Sequence, residues 1–296
     1  MAGTLADTVR DLLDRELVSP LAPGLYLVAT PIGNLTDMTL RALSVLARAD
    51  HVYCEDTRQT QKLTSRYNLP QRLNPYHDHN AARERPRILK RLTEGTSVAL
   101  VSDAGTPLIS DPGYKLVREA VAQGSAVISI PGPSAVLAGL TASGLPTDSF
   151  FFGGFLPPRE AAAKKRLGAL ANVPATLIFF ETATRLDRTL RSLAEIFPGR
   201  ELVLARELTK RFEEIIRTTL PARQLEGKEW KGEFVLLVSP PVDEELDEAQ
   251  IEKAVREALK HATLRDAVEE VRRTLRVPRK QVYDLALKSQ KDDRQE

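Results

Sequence analysis

The stretch Ser97–Gly113, SVALVSDAGTPLISDPG, constrains the fold of this chain more than any other. Val98, Ala99, Leu100 and Val101 form an apolar run without polar alternation, the pattern of a strand buried on both faces of a parallel sheet. The run stops at Ser102-Asp103-Ala104-Gly105-Thr106-Pro107, and the polar segment continues to Ser110-Asp111-Pro112-Gly113. Glycine lets backbone approach a ligand closely, and proline holds a turn rigid. Helical spacing then resumes over Tyr114–Gln123 through Leu116, Val117, Ala120 and Val121. In open α/β sheets, ligands collect at strand ends that carry such loops. A plain turn is the weaker reading, because βα connections usually take about 2–6 residues.

A second loop supports the same reading. Ala126–Ile130 is another apolar run, followed by Pro131-Gly132-Pro133-Ser134-Ala135 and a helix of small residues. Two adjacent strand ends with Gly/Pro loops point to one shared cleft. Neither loop matches the glycine patterns that bind dinucleotides or nucleoside triphosphates. Upstream, Leu25–Ala29 reads as the first strand, closed by Thr30-Pro31-Ile32-Gly33-Asn34. Asp37 or Thr39 caps a helix that runs to Ala49. His51–Cys54 is a further strand, and the charged quartet Glu55-Asp56-Thr57-Arg58 at its end is, on pattern alone, a capped helix start. His77-Asp78-His79 has metal-ligand residue types, but no other Cys/His cluster completes a site, so a polar loop and no metal are expected. Ala81–Glu94 reads as a basic helix that Pro86 shortens.

A domain boundary falls near 144–158, giving an N-terminal extension (1–24), an N-terminal α/β domain (25–150), a C-terminal α/β domain (151–240) and a helical module (241–296). Arg159–Arg166 is either a solvated helix start or a flap whose cations contact phosphate. Thr176–Phe180, Leu202–Ala205, Glu214–Thr219 and Glu233–Val238 read as strands of a mixed sheet, and Arg185–Ile196 as a helix. An acidic, proline-containing linker follows Pro240, and then three short helices over 251–287. Their helix-turn-helix pattern is modestly basic: Arg265, Arg272, Arg273, Arg276, Arg279 and Lys280 outnumber Asp266, Glu269 and Glu270.

Composition excludes several classes. Hydrophobic residues at 42% and charged residues at 28% suit globular domains with real cores. A net charge of +2 excludes a uniformly basic nucleic-acid coat and leaves room for local patches. The single cysteine, Cys54, cannot form an internal disulfide and fits a reducing cytoplasm. No apolar run approaches the ~18 residues of a membrane span. The first residues lack a signal peptide's pattern, because Asp7, Asp11 and Asp14 interrupt them; a docked helix is expected there.

The blocks TPIGN (Thr30–Asn34), EDTR (Glu55–Arg58), SDAGTPLISDPG (Ser102–Gly113), PGPSA (Pro131–Ala135), FFE (Phe179–Glu181), LARELTK (Leu204–Lys210) and KGEFVLLV (Lys231–Val238) occur in this order. Together they resemble the tetrapyrrole-methylase superfamily, and within it the small-subunit ribosomal RNA cytidine 2′-O-methyltransferases. The resemblance implies two α/β domains with a cleft between them and S-adenosylmethionine as methyl donor. It places the donor against Pro31, Asp103, Gly105, Thr106, Ser134, Ala135, Phe180, Leu208 and Glu233. A base for the ribose hydroxyl is sought among Glu181, Glu55 and a Lys210 of lowered pKa, while Arg58, Arg185 and Lys210 suit the RNA backbone. The implied partner is ribosomal RNA or the small subunit, and a homodimer is left open. Such relatives carry a histidine before the arginine where this chain has Thr184-Arg185, which weakens any mechanism needing that histidine. Two rival readings stand beside this one: a methylase acting on a tetrapyrrole ring, and a non-catalytic RNA-binding module of ribosome assembly.

Overall fold

The computed structural model describes residues 3–70, 72–225, 227–241, 248–275 and 277–292, with side chains to 288. The residues up to Pro241 form one compact unit and the helices beyond it another. Residues 242–247 of the acidic linker expected from Pro240, and Arg276 of the basic helical segment, lie outside the described residues.

The first unit begins with α1 (Leu5–Val18), whose Thr4 and Asp7 form a reciprocal capping box. Next come β1 (Gly24–Val28), α2 (Leu40–Arg48), β2 (His51–Cys54), α3 (Thr57–Arg66), β3 (Leu73–Pro75) and α4 (Ala81–Thr93). Then follow β4 (Ser97–Val101), α5 (Tyr114–Ala122) and β5 (Val127–Ile130). The five strands are parallel, in the order β3-β2-β4-β1-β5. β4 is central and buried along its whole length, which is why its sequence shows no polar alternation. Alternate side chains feed two cores. Leu25, Val98 and Leu100 pack with Ile88 and Leu116 on one face; Tyr26, Val28, Ala99 and Val101 pack with Val45 and Leu46 on the other.

The helix α6 (Ala135–Ser143) follows β5 but packs on a second sheet. That sheet comprises β6 (Phe150–Phe155), β7 (Thr176–Thr182), β8 (Glu201–Arg206), β9 (Glu214–Thr219) and β10 (Glu233–Val238), with α7 (Glu160–Gly168) and α8 (Ala183–Ile196) between strands. Its order is β6-β7-β10-β8-β9, with β6 and β7 parallel and the other pairs antiparallel. One face buries Leu177, Phe179, Leu204, Phe234 and Leu236 under α7 and α8. The other brings Ile178, Val203, Val235 and Leu237 against Val136 and Leu140 of α6. Thus α6 carries the chain from the end of the first sheet onto the face of the second.

Three expectations change. Pro86 lies inside α4 without shortening it, because only the carbonyl four residues earlier, on exposed Ala82, loses a partner. Leu73–Pro75 pairs with β2 as a short edge strand, which its Asn-Pro composition hides. Two of the cations of 159–166 are engaged by the fold, while Arg159 and Lys165 are exposed: Lys164 pairs with Glu160 at 3.0 Å and Glu195 at 2.6 Å, and Arg166 donates to the Gly153 carbonyl at 2.9 Å.

In the second unit, α9 (Glu248–Leu259), α10 (Leu264–Leu275) and α11 (Arg279–Asp292) bury Ile251, Val255, Val268, Val271, Val282 and Leu285 against one another. Arg272 and Arg279 pair with Glu269, whereas Arg265, Arg273 and Lys280 are exposed and form no ion pair among the described residues.

Gly153 in β6 is required by packing. A Cβ there would stand 2.4 Å from Cε1 of Phe179, a ring with no exposed surface. Gly153→Ala should therefore lower stability by about 1–3 kcal/mol, the usual cost of overpacking. The check is a shift of the urea midpoint at unchanged slope.

Candidate active site

The loops after β1, β4 and β5 meet the face of the second sheet around a cleft of about 250 Å³ that opens to solvent. The backbone fixes its first wall. Thr30 and Gly105 exchange two hydrogen bonds of 2.9 Å, N–H to carbonyl in both directions. The Ser102 hydroxyl donates to the Gly105 carbonyl at 3.2 Å, and the Thr106 hydroxyl to the Pro133 carbonyl at 3.1 Å. All three loops are thereby tied together. Gly105 has φ +78°, and a Cβ on it would approach Ile32 to 3.2 Å. Both its conformation and the close neighbour favour glycine. Ser134 caps α6 by accepting from the Leu137 N–H at 3.4 Å.

The second wall is apolar at its centre, where Phe180, Ala205, Leu208 and Val235 line the cleft. Lys210 Nζ bridges Glu207 at 2.8 Å and Glu233 at 2.9 Å. Glu207 also accepts the Glu233 N–H at 3.0 Å, locking the loop after β8 to the start of β10. Across the cleft, the Asn34 N–H donates to the Thr209 hydroxyl at 3.1 Å, joining the two walls.

Of the residues expected from sequence, Asp103, Gly105, Thr106, Ser134, Ala135, Phe180, Glu181, Leu208, Lys210 and Glu233 all line this cleft. Pro31 does not; its neighbour Ile32 does. Glu55 stands outside the lining, at the end of β2. Arg58 is exposed in the first turn of α3 and paired with Asp56 at 3.0 Å. Arg185 also lies outside the lining, with its guanidinium 3.2 Å from Glu181 and a hydrogen bond to the Leu156 carbonyl. The loop with His77 and His79 does not reach the cleft either. The sequence reading passed over Ile32, Asp111, Phe155 and Glu207. Asp111 was legible as the acid of the second Ser-Asp-x-Gly repeat, and Glu207 as the acid of the LARELTK block.

The base candidates separate on geometry. Glu181 is buried, and its oxygens are engaged: Oε1 accepts the Thr182 N–H at 2.8 Å, and Oε2 accepts the Thr189 hydroxyl at 2.6 Å. Burial alone would lower the Lys210 pKa, but the hydrogen bonds to Glu207 and Glu233 and their charges outweigh it and raise the pKa. The expectation of a Lys210 with lowered pKa, able to serve as a neutral base, is therefore corrected: it is a clamp between two carboxylates. Burial raises the Glu55 carboxyl, helped by the charges of Asp103 and Asp78. Asp111 moves furthest among the cleft acids. Burial first, then the charges of Glu55 and Asp103, push it up to about 6 against the lowering effect of the Ser102 hydroxyl.

That shift has a stability consequence. An acid whose folded pKa lies above its unfolded value holds its proton more tightly when folded, so ionising it opposes folding. From 3.8 to about 6, stability contributed by the wild-type residue falls as pH rises. Asp111→Asn should be more stable than wild type at neutral pH, with the difference closing as pH falls from about 6 towards 3.8, read by urea unfolding across pH.

Among the described residues, no group of three or more His, Cys, Asp or Glu side chains is placed to hold a metal ion, and no helix is long and apolar enough to cross a membrane.

The family model described as tetrapyrrole (corrin/porphyrin) methylases matches residues 24–223. The ribosomal RNA small subunit methyltransferase I of Mesorhizobium japonicum is 54% identical over 225 residues, covering 75% of this chain and 76% of that protein. The protein of the same name from Bacillus subtilis is 41% identical over 270 residues, covering 88% and 92%. Among solved structures, a uroporphyrin-III C-methyltransferase from Thermus thermophilus, complexed with S-adenosylhomocysteine, superposes with a TM-score of 0.52 at 20% identity, covering 73% of this chain and 97% of that one. At that identity the likeness is one of fold.

Proposed function

The chain belongs to the tetrapyrrole (corrin/porphyrin) methylases, and from that premise we propose that it transfers the methyl group of S-adenosylmethionine to the 2′-hydroxyl of a cytidine ribose in small-subunit ribosomal RNA. The observation that carries this reading is the chemistry of the cleft. S-adenosylmethionine brings a flat adenosine, which needs apolar walls and closely approaching backbone, and a sulfonium, which favours nearby carboxylates and carbonyls. The residues present fit both needs. Ile32, Ala135, Phe180, Leu208 and Val235 are the apolar lining, and Gly105 admits the ligand to the loop backbone. Asp103, Asp111, Glu207 and Glu233 supply negative charge, against Lys210 as the one cation of the lining among the described residues.

Ribosomal RNA enters as acceptor through the names of the relatives, which match along most of both chains. Such an acceptor implies a cytoplasmic enzyme. When bound, the donor supplies an activated methyl group. The protein's task is to align the acceptor oxygen with methyl carbon and sulfur, since displacement requires the three in line. Thr30, Gly105 and Thr106 hold the first wall rigid for that purpose. Exposed Arg58 suits an RNA phosphate near the end of β2, and Arg185 keeps Glu181 and the Leu156 carbonyl in place.

The direct test is to map 2′-O-methylation in small-subunit ribosomal RNA after incubation with the purified chain and the donor. A new methyl at a cytidine is expected; none on naked RNA or on the subunit would overturn the assignment. Gly105→Val should abolish donor binding in a folded protein, because the side chain meets Ile32 in a backbone conformation that disfavours it. Calorimetry with S-adenosylhomocysteine beside a circular-dichroism melt separates lost binding from lost folding.

The unpaired cations Arg265, Arg273 and Lys280 support RNA contact by the second unit beside exposed cations of the first, while every cleft-lining residue precedes Val242. Removing residues 242–296 should leave donor affinity unchanged and flatten the fall of RNA affinity with salt, because fewer counterions are released. Identical salt slopes for the two proteins would count against this role.

A further inference from the structure

The carboxylates of the cleft differ in what already occupies them. Asp103 accepts the Asp56 N–H at 2.9 Å. Glu181 is held by Thr182, Thr189 and Arg185. Glu207 and Glu233 share Lys210. Asp111 forms no ion pair and accepts no backbone N–H among the described residues; the Ser102 hydroxyl, whose proton the Gly105 carbonyl also attracts, lies beside it.

The loop presents Asp111 at a cost. Leu108 (φ 72°) and Ser110 (φ 69°) both take left-handed conformations that non-glycine residues avoid. Strain of this kind persists where the surroundings enforce it, and it concentrates at functional sites. Here the enforcing element is the end of β6. Its pairing with β7 shifts register between Phe152 and Phe155, and Gly154 lies so close to Ser110 that a Cβ would stand 3.3 Å from the hydroxyl. Bulges commonly re-aim a side chain next to an active site. This one leaves Phe155 lining the cleft, 49% exposed and edge-on to Phe180 at 5.6 Å. An exposed ring of that sort is the surface on which unstacked RNA bases are held. The tip of the Asp111 loop and the aromatic end of β6 therefore meet at the cleft.

We propose that Asp111 is the catalytic base of the methyl transfer, taking the proton of the acceptor ribose hydroxyl. The inference rests on the RNA 2′-O-methyltransferase reading. As the oxygen–carbon bond to the methyl forms, the carbon–sulfur bond breaks and its electron pair remains on sulfur, leaving neutral S-adenosylhomocysteine. The hydroxyl proton passes to an Asp111 carboxylate oxygen and then to solvent. One methyl, one proton and the positive charge of the sulfonium are thereby accounted for. The groups facing Asp111 are anionic on the first wall: Glu55 beyond β2, itself near Asp56, His77 and Asp78, and Asp103 in its own loop. Glu181, Glu207, Lys210 and Glu233 line the rest of the cleft. A carboxylate poised near 6 is a stronger base than an ordinary aspartate, yet it is largely ionised at neutral pH.

The test compares wild type, Asp111→Asn and Asp111→Glu in single-turnover methyl transfer to small-subunit particles at saturating donor, across pH 5–9, with S-adenosylhomocysteine affinity measured by calorimetry. The wild-type rate should rise with pH to a plateau, with its inflection at about 6. Asp111→Asn should fall by about 10²–10⁴-fold and lose that inflection while keeping its affinity for S-adenosylhomocysteine. Asp111→Glu should recover part of the rate and an inflection. An asparagine variant with the wild-type rate and pH profile would overturn the base role. So would one whose defect is lost S-adenosylhomocysteine affinity, which would make Asp111 a donor contact. A wild-type protein that binds S-adenosylhomocysteine but methylates no RNA would overturn the parent reading, and the base role with it.

Discussion

Two backbone hydrogen bonds, between Thr30 and Gly105, hold the first wall of the cleft together. β1 and β4 are neighbours in a parallel sheet, so their loops leave the same edge side by side. Parallel strands end with unpaired backbone groups, and in a dry wall those groups must find partners. Pairing Thr30 with Gly105 in an isolated antiparallel bridge beyond the parallel strands joins the two loops by their backbones. The Ser102 and Thr106 hydroxyls complete the lattice by reaching Gly105 and Pro133. A side chain at Gly105 would press on Ile32, so the same position that closes the loop also limits the shape of the cleft.

The opposite wall is built by charge. Lys210 neutralises Glu207 and Glu233 and lies in a loop with two left-handed residues, Glu207 and Thr209. The clamp brings the ends of β8 and β10 together and leaves the central floor apolar. Acid on the first wall has no matching cation. Burial first, and then that imbalance, raise the carboxyl of Asp111 and oppose folding at neutral pH, while the acids would give a cationic donor a favourable potential. Stability and function therefore pull in opposite directions at one residue, and the substitution that stabilises the fold should slow the reaction.

Much of this was legible in the chain. The unbroken apolar run of β4, the Thr39 cap of α2 and the Gly/Pro loops are local signals, and the local physics that encodes them also builds them. The block order located most of the cleft lining. What escaped depended on distant partners. Lys210 is fixed as a cation by Glu233, which antiparallel pairing of β8 with β10 brings alongside. Glu181 is filled by Thr189 from the next helix, and Asp111 is perturbed by Glu55 from another strand end. Charge environments of that kind are properties of the topology, and no window of sequence contains them.

The acceptor raises the opposite electrostatic problem. A polyanion is repelled by the acids that suit the donor, so its phosphate contacts belong outside the cleft. The distribution of unpaired cations agrees with this. Lys210 is consumed by its clamp and Lys164 by Glu160 and Glu195, whereas Arg265, Arg273 and Lys280 of the second unit remain free. Lys210 and Lys164 are thus committed within the first unit, and phosphate contacts fall to exposed cations outside the cleft. RNA affinity that depends on salt and donor affinity that does not are the expected signature, because the two ligands are held by separate sets of charges.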